Sequence, residues 1–167
     1  MSARERRSGG IAVETTNAAR LPPPWFKHLF WRGHRFLYRC VGDRVLWTPK
    51  SKRGWGAMHL TTTGRTSGGA RSVIVGYIED GATPVVLAMN GWDEGEPAWW
   101  RNLEAHPDAV VQLKGQPARA VRARRAEGEE RDRLWQRWAA IDEGLDAYAA
   151  SRSADTPVVV FEPSDTL

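Results

Sequence analysis

The chain has 167 residues, a mass of 18.7 kDa and a hydrophobic fraction of 41%, which together predict a single folded domain. Its longest apolar run is far shorter than the roughly 20 residues that a membrane-spanning helix needs. Its opening residues contain no apolar stretch, so we expect no secretory signal. A single cysteine, Cys40, excludes an internal disulfide and fits a reducing cytoplasm.

The net charge of +4 is unevenly distributed along the chain. Residues 1–71 carry 14 Lys and Arg against 3 Asp and Glu, whereas residues 72–167 carry 10 against 17. The N-terminal part therefore attracts anions. Nucleic acid, an anionic membrane surface and a phosphorylated cofactor all fit such a field, and charge alone does not choose among them.

The N-terminal region divides into a tail and a candidate helix. Residues 1–20 are polar, rich in Arg and without periodicity, which predicts a flexible tail ahead of a domain spanning 21–167. Aromatic and Leu side chains then recur at helical spacing over 25–40, with basic residues between them. This pattern predicts an amphipathic helix that either packs on the domain or lies on an anionic membrane surface.

From Val45 onwards the periodicity changes to that of β-strands. Turn signals at Asp80–Gly81 and Gly115–Gln116 join neighbouring runs as hairpins. Helical patterns over 98–106 and over 128–150, the second with a break near Gly144, interrupt the strands. We predict an α+β, mainly β fold: a small closed barrel of about six or seven mostly antiparallel strands with peripheral helices, since closure removes exposed edges. The predicted strands span 45–48, 58–63, 71–79, 83–90, 109–114, 117–124 and 157–162.

Common nucleotide-binding and catalytic motifs are incomplete. Gly64 and Gly69 have a Walker-like separation, but Ala70 and Arg71 replace the required Lys and Ser or Thr, and a strand-like segment follows where a P-loop needs a helix. The sequence has no dinucleotide fingerprint, no Gly-x-Ser-x-Gly elbow and no His pair at metal-binding spacing. It therefore argues against ATP hydrolysis, serine hydrolase chemistry and a metal centre.

The glycine-rich stretch 64–71 remains as a candidate anion site. Between two strands, Gly64 and Gly68 can adopt positive φ and aim successive backbone N–H groups at one point, which Arg65, Ser67 and Arg71 also reach. This arrangement would be a phosphate cradle without a helix. The alternative is an ordinary polar hairpin turn, and composition alone does not separate the two.

The order of several short motifs is more specific than any one of them. The chain carries LTTTGRTSG at 60–68, Arg71, a strand ending in NG at 90–91, PAWWRNL at 97–103, AHP at 105–107 and TPVVVFEP at 156–163. In this order and spacing, the motifs resemble the deazaflavin-dependent nitroreductase family, over about three fifths of the chain.

The resemblance implies a split β-barrel and coenzyme F420, an 8-hydroxy-5-deazaflavin whose reduced form donates a hydride from a ring carbon to an activated acceptor. It places the coenzyme phosphate on the glycine-rich turn and the ring beside the strand ending at 89–91. A phosphate with an oligoglutamate tail also suits the basic N-terminal part. The expected cofactor-binding residues are Lys52, Arg53, Gly64, Arg65, Thr66, Ser67, Gly68, Arg71, Met89, Asn90 and Gly91.

Two departures from the family pattern concern the acceptor. Family members often carry three tyrosines at three-residue spacing before the last strand, and the matching positions here are Asp142, Leu145 and Tyr148. Tyr148 is the candidate catalytic residue, as a donor to the acceptor oxygen; its alternative role is to pack the end of its helix. Reduction of nitro drugs is not carried over. The segment 41–58 is longer than the family pattern, and one role for it is a lid.

We therefore expect a cytoplasmic monomer or homodimer that uses reduced F420 to reduce a quinone, an activated enone or a nitroaromatic. Peripheral contact with an anionic membrane at its inner face is part of this expectation. The alternatives are an FMN-dependent split-barrel oxidoreductase and a non-catalytic barrel that binds a lipid or a cofactor. Nucleic-acid binding is not expected, because the aromatic residues lie at core-like helical spacing and form no stacking platform.

Overall fold

The computed structural model describes residues 46–50, 52–90 and 94–164. The predicted tail (1–20) and the predicted amphipathic helix (25–40) lie outside the described residues. The described part contains six strands and three helices, which are β1 (Gly56–Thr63), β2 (Ala70–Asp80), β3 (Thr83–Leu87), α1 (Ala98–Ala105), β4 (Asp108–Gln112), β5 (Arg119–Arg125), α2 (Gly128–Ala139), α3 (Leu145–Ser151) and β6 (Val158–Pro163).

The six strands form a closed barrel in which neighbouring strands are antiparallel. The strand order is β1-β2-β3-β6-β5-β4, and β4 pairs back with β1. The longest ladder joins β1 to β2, from Gly56 opposite Tyr77 to Thr63 opposite Ala70. The predicted mainly β, antiparallel barrel is confirmed. Closure pairs both edges of the sheet, which removes a template for edge-to-edge aggregation.

Alternate side chains of the strands fill the barrel. On β1, Met58, Leu60 and Thr62 point inwards and are at most 2% exposed, as the period-two pattern predicts. The apolar face of α1 joins the same cluster through Trp99, Trp100 and Leu103. The helix α1 is thereby part of the barrel core.

A second apolar cluster covers the outer face of β3 and β6. Val85 and Leu87 of β3 and Val158 and Val160 of β6 point outwards into this cluster. The partners on α2 and α3 are Leu134, Trp135, Trp138 and Leu145. These two strands are thus buried on both faces, which explains why their sequences are continuous apolar runs instead of alternating ones.

The predicted turns and the helical patterns over 98–106 and 128–150 are confirmed. Gly81 and Gly115 adopt φ of 63° and 69°, the left-handed region that favours glycine in tight turns. The pattern over 128–150 divides into α2 and α3, with residues 140–144 between them. Arg133 and Arg137 of α2 both bond Asp80, at 2.8–2.9 Å, and tie this helix to the β2–β3 turn. The Arg133 guanidinium holds the pKa of Asp80 below its ordinary value.

Two predicted strands need correction. Of the predicted strand 45–48, Val45 lies outside the described residues, and the rest forms one isolated bridge between Trp47 and Ala57 because the chain turns at Pro49. The predicted strand 83–90 ends at Leu87. There the Met89 N–H donates to the Leu87 carbonyl oxygen at 2.8 Å, a tight turn that ends the ladder. No helix within the described ranges is long and apolar enough to span a membrane.

Candidate functional site

The glycine-rich segment 64–69 is a tight turn that joins β1 to β2. The Gly64 N–H donates to the Gly69 carbonyl oxygen at 2.8 Å, and the Gly68 N–H donates to the Gly64 carbonyl oxygen at 2.7 Å. Gly68 has a φ of 65°, as predicted. We call the end of the barrel at which this turn lies the turn end.

Gly64 is required for a reason that the sequence did not indicate. Its φ is not positive: the described glycines with positive φ are Gly54, Gly68, Gly81, Gly95, Gly115 and Gly128. The predicted positive φ at Gly64 is therefore wrong. A Cβ at Gly64 would instead lie 2.9 Å from Ser67 Oγ and 3.0 Å from the Gly69 carbonyl oxygen. The turn folds so closely over this position that it leaves no room for a side chain.

Asn102 of α1 holds the turn in place. Its side-chain oxygen Oδ1 accepts the Arg65 backbone N–H at 3.1 Å, and its Nδ2 donates to Thr62 Oγ1 at 3.1 Å. Asn102 and Thr62 are both buried. A buried amide with partners on two segments fixes their relative position, because losing either bond leaves a polar group without water. Asn102 belongs to the PAWWRNL motif, whose sequence alone assigns it no role. The sequence feature that could have indicated a role is a lone Asn on an otherwise apolar helix face.

The turn offers fewer backbone donors than predicted. Four of its six N–H groups are used inside the protein, by the bonds of Gly64, Arg65, Gly68 and Gly69. The N–H groups of Thr66 and Ser67 make no hydrogen bond within the described part of the chain, and both residues are exposed. The predicted convergence of successive N–H groups is thus reduced to one adjacent pair, supported by the two hydroxyls.

Arg65 and Arg71 supply positive charge at the turn. Both are exposed, and Arg71 Nη2 donates to Ser67 Oγ at 3.1 Å, so Arg71 and Ser67 meet as the sequence predicted. In the described residues neither guanidinium has a carboxylate within ion-pair distance. The same holds for the described residues Lys50, Lys52, Arg53, Arg101, Lys114, Arg119 and Arg152. Ion pairs are formed by Arg122, Arg124, Arg125, Arg131, Arg133 and Arg137.

Lys52 and Arg53 lie far from the turn. They precede β1, whose eight residues span roughly 25 Å before the turn begins. The Arg53 guanidinium lies 5.2 Å from the centre of the Trp47 ring, whose Nε1 donates to the Trp55 carbonyl oxygen at 3.1 Å. A Cβ on Gly54 would lie 3.3 Å from a side-chain carbon of Ile141, which places this segment against the α2–α3 connection. The structure therefore places Lys52 and Arg53 at the opposite end of β1 from the turn.

The segment after β3 lies at the turn end, because β3 runs antiparallel to β2. The Ala88 N–H donates to the Pro157 carbonyl oxygen at 2.8 Å, which fixes the start of this segment beside β6. Met89 is half-buried against the second apolar cluster, and Asn90 is exposed. Gly91 lies outside the described residues. The described members of the predicted ring-binding set thus share one end of the barrel with the turn.

Tyr148 lies on α3, which leads back to the turn end. Its ring packs beside Gly144, where a Cβ would lie 2.9 Å from Tyr148 Cε2, and the side chain is half-buried. The two other positions of the family's tyrosine set have structural duties. Leu145 is 1% exposed in the second apolar cluster, and Asp142 Oδ1 accepts the Gly144 N–H at 3.0 Å at the start of α3. Of the three positions, only Tyr148 therefore carries a phenol hydroxyl.

The buried hydroxyl of Tyr77 lies outside this site. Burial, reinforced by Glu79, raises the pKa of Tyr77 to about 12, so the phenol stays protonated at neutral pH. It belongs to the barrel core near the far end of β2 from the turn. This phenol is therefore not placed to give a proton to a ligand bound at the turn end.

Comparison with known proteins gives concordant matches. Residues 44–163 match the F420H(2)-dependent quinone reductase family. An F420H(2)-dependent quinone reductase of Mycobacterium tuberculosis is 31% identical over 140 residues, covering 78% of this chain and 87% of the relative. The solved structure of an F420-H2 dependent reductase, FDR-A, has 29% identity and a TM-score of 0.57, covering 64% of this chain and 93% of that one. A chain described as a domain-swapped dimer has 26% identity and a TM-score of 0.60, covering 82% and 98%.

Proposed function

The chain belongs to the F420H(2)-dependent quinone reductase family, and from this membership we propose that it reduces a quinone to a hydroquinone with electrons from reduced coenzyme F420. It is an oxidoreductase with F420 as its cofactor, as the resemblance implied. The observation that carries the proposal is the family match over 44–163. No contact of the described residues favours the FMN enzyme or the non-catalytic lipid-binding barrel.

The turn fits the anionic part of the coenzyme. Arg65 and Arg71 are exposed and have no carboxylate partner in the described ranges, so a phosphate would neutralise them without displacing an ion pair. The N–H groups and hydroxyls of Thr66 and Ser67 are available to donate hydrogen bonds to the phosphate oxygens. Gly68 leaves open space beside them. We assign the phosphate to these five residues.

The remaining parts of the turn end are assigned to the ring and the acceptor. Met89, Asn90 and Gly91 are proposed to line the deazaflavin, with Met89 presenting an apolar surface. Gly64 has no side chain, which allows the turn to fold closely over it. Lys52 and Arg53 remain a prediction for the oligoglutamate tail, which would have to extend along the barrel to reach them.

Arg65, Thr66, Ser67 and Arg71 would hold F420H2, which would supply a hydride and a proton, so that the quinone would gain two electrons and two hydrogens and the coenzyme would be oxidised. The residues of the chain have to hold the coenzyme and the quinone together and exclude water from between them. Tyr148 is proposed to donate its hydroxyl hydrogen bond to the quinone oxygen, where negative charge develops during the transfer. No side chain has to act as a nucleophile. Enones and nitroaromatics remain further predicted acceptors.

Two experiments test this function. The purified chain is titrated into oxidised F420, FMN and NADPH separately while ligand fluorescence is followed, and we expect saturable micromolar quenching with F420 alone. Anaerobic protein with F420H2 is then mixed with menadione, and equimolar formation of oxidised F420 and menadiol is expected. Binding of FMN but not F420 would reject the cofactor; binding without turnover of menadione or ubiquinone analogues would reject quinone reduction.

Location and assembly belong to the same proposal. We propose a cytoplasmic protein whose segment 25–40 rests on anionic membrane, where quinones are dissolved; its basis is the aromatic and basic pattern of that segment. Co-sedimentation with anionic vesicles should be lost when residues 1–40 are deleted, and equal pelleting of both proteins would reject the contact. Homodimer formation, suggested by the similarity to a domain-swapped dimer, is measured by light scattering.

A further inference from the structure

One flank of α1 faces the glycine-rich turn. Asn102 marks this flank, because its Oδ1 accepts the Arg65 backbone N–H at 3.1 Å. Successive residues of an α-helix are rotated by about 100° around its axis. Arg101, which is exposed, therefore lies on the solvent side of Asn102 at this flank. Glu104 is rotated further from Asn102 and lies on the other flank, beside Trp100.

Only small side chains lie between Arg101 and the turn on the surface of α1. Ala98 and Ala105 are within four residues of both Arg101 and Asn102, so they adjoin both on the helix surface. Both alanines are exposed. Long side chains of a helix lean towards its N-terminus, which for Arg101 is the side of Ala98. No side chain of α1 therefore obstructs a guanidinium that extends across this flank towards a ligand on the turn.

The charge of Arg101 is not used within the described part of the chain. Its guanidinium has no hydrogen-bond partner and no carboxylate within ion-pair distance among the described residues. Glu104 lies three residues further along α1, a spacing at which ion pairs form on helices, but it does not pair with Arg101. Arg65, Arg71 and Arg101 are thus three exposed cations at the turn end without a carboxylate partner in the described ranges.

The oligoglutamate tail of the coenzyme extends from the phosphate that is assigned to the turn. Its first carboxylates therefore lie beside the turn, whichever way the tail runs. Lys52 and Arg53 are separated from the turn by the eight residues of β1, a span of roughly 25 Å. Arg101 is instead adjacent in sequence to Asn102, which contacts the turn directly. The first carboxylates are therefore closer to Arg101 than to Lys52 and Arg53.

We propose that Arg101 binds the first carboxylates of the oligoglutamate tail, and that the protein thereby prefers glutamylated F420 to F420 without glutamate. This inference rests on the proposed function, which places the phosphate on the turn. A guanidinium suits a carboxylate, because its N–H groups match the two carboxylate oxygens. The contact is open to water, so its effect on affinity is modest and decreases with added salt.

The test measures two oxidised forms of the coenzyme, one with no glutamate and one with two, by fluorescence titration at low ionic strength. Wild type should bind the two-glutamate form about two- to fivefold more tightly, the effect of an exposed ion pair. Arg101→Gln should lose this preference and bind the form without glutamate as wild type does. Its urea midpoint should match wild type, because the side chain is exposed.

Two further variants separate a specific contact from a general effect of charge. Lys114→Gln is the matched control: Lys114 is exposed, has no carboxylate partner in the described ranges, and follows β4 at the opposite end of the barrel from the turn. This variant should keep the preference of wild type. Arg101→Lys retains the charge and should bind the two-glutamate form more tightly than Arg101→Gln does. Added salt should reduce the preference of wild type.

Four results overturn the proposal: no preference in wild type, an unchanged preference in Arg101→Gln, an equal loss of affinity for both coenzyme forms in Arg101→Gln, and a loss of the preference in Lys114→Gln as large as in Arg101→Gln. Failure of the proposed function gives a different result. If the preference depends on Arg101 but menadione is not reduced, quinone reduction is rejected and the role of Arg101 stands. If menadione is reduced and the preference does not depend on Arg101, only the role of Arg101 is rejected.

Discussion

The contact between α1 and the turn allows a quantitative test through Asn102→Ala. This substitution removes the acceptor of the Arg65 N–H and the donor to Thr62 Oγ1, both at 3.1 Å. The two backbone hydrogen bonds inside the turn remain. The turn should therefore keep its local shape and lose its attachment to α1.

The two lost bonds have different consequences. Arg65 is exposed, so water can replace the partner of its N–H, and the effect falls on the position of the turn. A neutral hydrogen bond contributes about 0.5–1.5 kcal/mol net, which predicts a coenzyme Kd weaker by about two- to twelvefold. Thr62 is 2% exposed, and its lost partner is not replaced. With both bonds gone, the free energy of unfolding should fall by about 1–3 kcal/mol.

Thr62→Val is the matched control for this experiment. It removes the bond from Asn102 Nδ2 and the 3.4 Å bond from Thr62 Oγ1 to the Arg71 carbonyl oxygen, and it leaves the acceptor of the Arg65 N–H in place. Fluorescence titration of oxidised F420 at fixed ionic strength measures the Kd, and urea unfolding measures stability. We expect both variants to be less stable but only Asn102→Ala to bind more weakly. Equal Kd values for the two variants would refute the assignment of Asn102 to the turn.

Four further changes test the site and the fold. Arg65→Ala should weaken F420 binding by about 1.5–3 kcal/mol with an unchanged urea midpoint, and added salt should weaken wild-type binding more than that of the variant; equal salt slopes would contradict a charge contact. Gly64→Ala should lower the free energy of unfolding by about 1–3 kcal/mol, since its Cβ meets the turn; an unchanged urea midpoint would show that the turn relaxes freely. Tyr148→Phe should slow menadione reduction about ten- to a hundredfold with little change in the coenzyme Kd, whereas unchanged turnover would leave Tyr148 a packing role. Burial lowers the pKa of the His59 imidazole below 6.5. The unfolded state therefore binds a proton at His59 more readily, and the free energy of unfolding falls as the pH drops below 6.5. The decrease in the urea midpoint between about pH 7.5 and about pH 5.5 should be smaller in His59→Gln than in wild type.

The barrel could be predicted from sequence because local patterns determine it. Alternating residues such as Met58 and Leu60 mark a strand with one buried face, and Gly81 marks a turn that needs positive φ. The ends of the strands were harder to predict from the sequence. Leu87 ends β3 through a hydrogen bond from Met89, and an apolar Met after an apolar strand carries no sequence signal for that turn.

The candidate site was predicted in part, since it depends on tertiary contacts. The turn residues are contiguous, so a motif identifies them together. Asn102 holds the turn through the Arg65 backbone N–H, 37 residues away, and no spacing rule connects the two. Lys52 and Arg53 were grouped with the turn by charge alone. Only the direction of β1 reveals that a whole strand separates them from it.

The distribution of ion pairs explains where on the barrel an anion is attracted. The three arginines of α2 and three on β5, Arg122, Arg124 and Arg125, each have a carboxylate within ion-pair distance, so their charges are neutralised locally. Within the described residues, Arg65 and Arg71 have no such partner. Because screening limits the reach of a charge to about 8 Å at physiological salt, the potential at the turn depends on these nearby cations more than on the net charge of +4. We therefore expect the unpaired cations at the turn to attract an anionic coenzyme more strongly than the paired arginines of β5 and α2 do.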